Sequence, residues 1–280
     1  MSAKARSFNA TATVAVRDGF THPSYWFPAL LLLAPTFLLQ LVAPTSLRTR
    51  LAPAPWTVAA GAVLLVWLAQ VALPAVCALV HARRAGMRRT LGLPLVRMSL
   101  VIGTRVTLGL AAALLPGLWL QARYAFAPLL VSAARSESVS RELSTSMYET
   151  RGAQGRLLLV ACVALIVSAL GQSAVAALAE AIGTITAAGH VNGRMVYQLN
   201  FVPHTLTTVA AYLCSAAVLT FHALCVSVLF DDARGIAPPA PAPRVGRDAS
   251  MWVRATQITA GAATLGALVA AAYKFQQHLY

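Results

Sequence analysis

The chain has 280 residues, of which 58% are hydrophobic and only 11% charged, with 22 Lys+Arg against 8 Asp+Glu and a net charge of +14. A water-facing surface needs about 25% charged residues, so this composition excludes an ordinary soluble domain and points to a multi-pass membrane protein. The basic excess fits loops that face anionic lipid rather than nucleic acid, because no aromatic-basic binding module accompanies it.

Residues 1–24 carry Lys4, Arg6 and Arg17, with Phe8, Ala12, Val16 and Phe20 at helical spacing. This predicts an interfacial helix ending near His22-Pro23. The first strongly apolar run begins near Tyr25, without a small-residue cleavage pattern close behind it, so it is expected to stay in the protein as the first span, about Tyr25 to Val42. The sequon-like Asn9-Ala10-Thr11 falls on the side assigned to the cytoplasm and is discounted. A second span is expected over about Trp56 to Val80, followed by a basic stretch with Arg83, Arg84, Arg88 and Arg89. That stretch reads as a topogenic loop that also offers contacts to anionic lipid or a partner.

Leu93 to Ala134 is apolar for about 40 residues, which as one helix would be on the order of 60 Å, twice a hydrocarbon core. The Pro116-Gly117 dipeptide is a turn signal and is expected to split it into two short spans. Charge supports the split. With a cytoplasmic N-terminus, a hairpin there puts Lys4, Arg6, Arg17, Arg83, Arg84, Arg88, Arg89, Arg97, Arg135, Arg141, Arg151, Arg156, Arg234, Arg244, Arg247 and Arg254 on the inner side. It leaves only Arg48, Arg50, Arg194 and Lys274 outside, as the positive-inside rule requires. Arg105 and Arg123 then fall within spans.

In the segment Ser136 to Gly152, Val139, Leu143, Met147 and Thr150 recur at helical spacing, with Arg141 and Glu142 expected to face elsewhere. This is an amphipathic helix for the leaflet or the bundle. A fifth span runs from about Leu157 to Ile182, an outer loop from Gly183 to Pro203 with Asn192-Gly193 as its turn signal, and a sixth span from about His204 to Phe230. The loop is expected as a short hairpin or a re-entrant piece. Residues 231–250 form a Pro/Ala-rich linker, and residues 251–280 hold a seventh apolar run with Ala262, Gly266 and Ala270 at four-residue spacing. The expected fold is all-α: a polytopic bundle of six or seven spans, with residues 25–230 as a six-span membrane domain.

The stretch around Pro116 and Gly117 followed by Arg123, Ala127, Pro128, Ser146, Thr150 and Gly152, with His22-Pro23 at the entry to the first span, resembles the membrane domain of some bacterial glycerophosphodiester phosphodiesterases and the YciC-like uncharacterised inner-membrane proteins. The resemblance covers roughly residues 10 to 230. It departs from that pattern at Glu149, where those proteins usually carry leucine, and in the seventh run. It implies a helical bundle in a bacterial inner membrane with largely unassigned molecular function; no phosphodiesterase domain is attached.

Charged groups at membrane depth are costly and mark functional positions by default. Arg105 and Arg123 are therefore candidate contacts for a phospholipid phosphate or an anionic solute, since guanidinium matches phosphate bidentately, or they snorkel to the head groups. Glu180 and His204 flank the outer loop and form a candidate polar pair; His222 stands alone in an apolar run. Cys77, Cys162, Cys214 and Cys225 lie in apolar runs without CxxC spacing and read as small buried hydrophobes. Walker, GxSxG and HExxH motifs are missing from the sequence, so neither catalysis nor a metal or other cofactor is expected. The expected partners are membrane lipids and another membrane protein. The expected role is a scaffold or accessory subunit in envelope or lipid homeostasis, with a transporter or permease for a small or anionic lipid-like solute as the alternative.

Overall fold

The computed structural model describes residues 7–42, 55–87, 92–134, 139–183, 185–191 and 194–235. Arg88, Arg89, the Asn192-Gly193 turn signal, the linker beyond Gly235 and the seventh run lie outside the described residues. Among those described, five helical segments are long and apolar enough to cross a membrane: Pro23–Leu41, Ala60–Arg84, Leu93–Ala112, Gln154–Ala181 and Phe201–Arg234.

Helix α1 (Phe8–Thr21) opens on Ser7, whose hydroxyl accepts from the Ala10 N–H, and ends at His22 before a short 3-10 turn, Pro23–Tyr25. Helix α2 (Phe27–Val42) follows, then α3 (Pro55–Arg84) and α4 (Leu93–Ala112). The expected hairpin forms, but not at Pro116-Gly117. The reversal is made by Ala113 alone, extended at φ −169° and ψ 152°, and α5 (Leu114–Tyr124) begins at once. Pro116 sits in the first turn of α5, where a missing N–H costs nothing, and Gly117 packs on α4. A Cβ at Gly117 would lie 2.6 Å from the Leu110 backbone nitrogen. The dipeptide thus allows the two helices to touch rather than turning the chain.

The chain breaks again between α5 and α6 (Ala127–Ala134), just ahead of Pro128, which has no N–H to donate one turn back. Neither piece spans alone. Helix α7 (Val139–Glu149) then folds back onto α4, α5 and α6, so the amphipathic segment docks on the bundle. Its buried face is Glu142, Leu143 and Ser146, which corrects the expectation that Glu142 faces outward. A 3-10 turn, Thr150–Gly152, leads into α8 (Gln154–Ala181).

The segment between α8 and α9 is a β-hairpin, so the molecule is helical but not purely so. Strand β1 (Ile185–Val191) pairs antiparallel with β2 (Arg194–Leu199) from Ile185↔Leu199 to Val191↔Arg194, with an irregularity between Ala187 and Gly189. Helix α9 (Phe201–Arg234) returns through the centre and packs on α1, α2, α3 and α8. From His222 to Asp231 every residue is buried, which is possible only for a helix enclosed on all sides. Gly235, at φ 63°, terminates it in the left-handed conformation that glycine adopts without strain. All four cysteines are free; Cys77 and Cys225 are buried and Cys162 and Cys214 partly so.

Candidate functional site

Two polar constellations occupy this apolar bundle. The first lies where α3 and α9 end. His81 and Arg84 are three apart on α3, and Ser227 and Asp231 four apart on α9, so each pair presents one helix face to the other. Arg84 Nη1 donates to Asp231 Oδ2 at 2.5 Å and to Ser227 Oγ at 3.3 Å, while its Nε reaches Asp18 Oδ2 of α1 at 3.4 Å. His81 Nδ1 lies 2.8 Å from Ser227 Oγ and 4.0 Å from Asp231 Oδ1. The Arg84 and Asp231 side chains are only 6% and 11% exposed. Such charges are tolerated away from water only when paired and hydrogen-bonded, so the network ties α1, α3 and α9 at one point.

Neighbouring cations extend the tie. Arg83, on the next face of α3, donates to the Ser24 carbonyl at 2.9 Å and lies 5.3 Å from the Phe27 ring centroid. Arg234, one turn past Phe230, pairs with Glu149 through two hydrogen bonds of 2.7 and 3.3 Å and stacks on the Phe230 ring. Glu149 thereby anchors α7 to α9.

The second constellation joins α5 to α7. Arg123 Nη1 donates to the Met147 carbonyl at 3.0 Å, and the guanidinium lies 5.0 Å from the Trp119 ring centroid. In return, the Arg123 carbonyl accepts from Ser146 Oγ at 2.9 Å and from Thr150 Oγ1 at 3.4 Å. The Pro128 kink follows within two turns, and Phe126 packs edge-on against Phe230 with centroids 5.3 Å apart. Arg123 is therefore close to the level where α9 ends. Its Nε is buried without a hydrogen-bond partner. Arg105, exposed on α4, donates to the Tyr124 hydroxyl at 3.3 Å.

The remaining candidates are dispersed. His204 is buried at the start of α9 against the carbonyls of Gln40 and Leu41, while Glu180 is exposed near the end of α8, and no hydrogen bond or ion pair joins them. His222 is buried on α9. Among the described residues no group of three or more His, Cys, Asp or Glu could hold a metal ion.

Asp18, His81, Ser227 and Asp231 went unassigned in the sequence reading. Their signal was faint: two of only eight acidic residues, each at the end of an apolar helix. The convergence of Ser146 and Thr150 on the Arg123 carbonyl likewise follows from no spacing in the sequence. No known protein family matches the chain, and neither a curated protein nor a solved structure shows significant similarity to it.

Proposed function

We propose that this chain is a non-enzymatic multi-pass protein of the bacterial inner membrane, with its N-terminus in the cytoplasm, acting as a scaffold or accessory subunit in envelope or lipid homeostasis. One observation carries the reading. The buried Arg84 closes on Asp18 and Asp231, and the half-buried Arg123 donates to the Met147 carbonyl. Charges used in this way hold helices in register instead of lining a path. The resemblance to the phosphodiesterase membrane domain supports the same reading, because Arg123, Ser146 and Thr150 meet as a clamp between helices.

The rival reading, a permease for an anionic lipid-like solute, draws on the exposed Arg105 guanidinium and the unpartnered Nε of Arg123. Native mass spectrometry of the gently extracted protein tests both. The scaffold reading expects a second membrane protein or bound lipid on the chain, and a bare chain overturns it. Arg105→Gln with Arg123→Gln removes bound anionic lipid under the rival reading, and unchanged lipid binding eliminates that reading.

A further inference from the structure

Arg83 and Arg84 are neighbours on α3 with unlike surroundings. Arg84 takes the carboxylates of Asp18 and Asp231, and the exposed Arg17 lies 3.6 Å from the same Asp18. Arg83 is half-buried, donates to the Ser24 carbonyl at 2.9 Å and lies 5.3 Å from the Phe27 ring centroid. Among the described residues no ion pair reaches it. A carbonyl and a ring orient a guanidinium without neutralising it, and a guanidinium carries five N–H donors, so donors are left over. Depth is set by two spans, because Pro23–Leu41 begins and Ala60–Arg84 ends at this corner. Arg83 therefore lies where hydrocarbon gives way to head groups. Leading away from it along α2, Phe27, Leu31 and Leu38 are 56, 54 and 38% exposed. At about 100° per residue they fall within about 40° of one another, and the strip is about 16 Å long, roughly the depth of one leaflet.

We propose that this corner holds an anionic phospholipid, with its phosphate on the Arg83 guanidinium beside Ser24 and an acyl chain along Phe27, Leu31 and Leu38. The inference deepens the reading above, in which bound lipid is an expected partner, and it rests on that reading's placing the chain in a membrane. Charge complementarity carries it. A guanidinium presents parallel N–H donors to a pair of phosphate oxygens, and a cation at membrane depth is costly until an anion meets it. The phosphate of a zwitterionic lipid brings its own cation and offsets less of the charge, which favours the anionic head group. A soluble phosphate could satisfy Arg83 but would gain nothing from an apolar strip of leaflet length, whereas a lipid uses both parts.

Native mass spectrometry of the full chain in micelles tests this, with phosphatidylglycerol and phosphatidylcholine of the same acyl chains supplied in equal amounts. The unaltered chain is expected to retain one phosphatidylglycerol in preference. Arg83→Gln is expected to lower that retention about tenfold. Ser24→Glu, which sets a carboxylate at an exposed position beside the guanidinium, is expected to do the same without emptying a packed position. Arg151→Gln, which removes an exposed guanidinium over Tyr148, is expected to keep the lipid. Retention unchanged in both Arg83→Gln and Ser24→Glu would overturn the proposal, and loss in Arg105→Gln/Arg123→Gln alone would transfer the lipid to the rival site. Equal retention of the two lipids would reduce Arg83 to a snorkelling cation and overturn the proposal, while a membrane protein co-extracted in the same spectra would keep the scaffold reading. Glycerol phosphate retained as well as phosphatidylglycerol would overturn it in favour of a soluble anion.

Discussion

The two ends of the bundle are built differently. At the Asp231 end, α1, α3, α7 and α9 are joined by charged and hydrogen-bonded ties, and α9 is buried without interruption from His222 to Asp231. At the β-hairpin end, α9 meets α2 and α8, with His204 against the Gln40 and Leu41 carbonyls, and the β1–β2 hairpin makes its extensive contacts only with itself. Helix length accounts for part of this. At about 1.5 Å per residue, the 28 residues of α8 and 34 of α9 are roughly 42 and 51 Å long, beyond a core of about 30 Å, while α5 and α6 are short. The charged ties are concentrated where α9 meets α1, α3 and α7. The contrast teaches that polar groups, rather than apolar area, specify this bundle, since lipid offers apolar surface everywhere.

The largest expected effect sits in the network. Asp231→Ala leaves Arg84 buried with less compensation and is expected to cost about 3–5 kcal/mol, read as loss of resistance to unfolding in micelles. Arg84→Met with Asp231→Leu is expected to be much milder than either single change, because no uncompensated charge remains. A double variant as unstable as the singles would break the view that pairing, not packing, sets the cost.

Close approaches separate the α3–α4 contact from the α8–α9 contact next. A Cβ at Gly103 would lie 2.7 Å from the Val71 backbone, whereas at Gly171 its near neighbour is the rotatable Cys214 Sγ at 2.3 Å. Gly103→Ala is expected to cost about 1–3 kcal/mol in the same unfolding assay, and Gly171→Ala clearly less. Equal costs would mean that the α8–α9 contact is as tightly fixed as the α3–α4 contact.

Smaller still is the α5–α7 clamp. Ser146→Ala removes one of two hydroxyls from the Arg123 carbonyl and is expected to cost about 1 kcal/mol, with faster hydrogen exchange confined to α7. Glu149→Gln weakens a partly exposed pair and is expected to change stability by less than about 1 kcal/mol, with a salt dependence that the network variants do not show.

Much of the architecture was legible in the sequence because a membrane leaves few alternatives. The long apolar runs, the helix that stops at His22-Pro23, and the need for a reversal inside Leu93 to Ala134 all follow from hydropathy, length and charge. The position of that reversal did not follow. Pro-Gly is read as a turn on local grounds, yet Gly117 is spent on contact with Leu110 and Ala113 turns the chain. Glu142 was misplaced for a related reason: periodicity gives the direction of an apolar face, not how widely neighbouring helices cover it. Arg83 and Arg84 looked alike within one basic stretch, but adjacent residues lie about 100° apart on a helix. One reaches Ser24 and the other is enclosed with Asp18 and Asp231.

By itself, the sequence determined the membrane class, the helical character and where the long apolar runs lie. The tertiary structure alone decided which charges meet. Asp18, Arg84 and Asp231 are far apart in the chain, and a side chain's partner depends on which helix faces are brought together, a property of packing that no local pattern encodes.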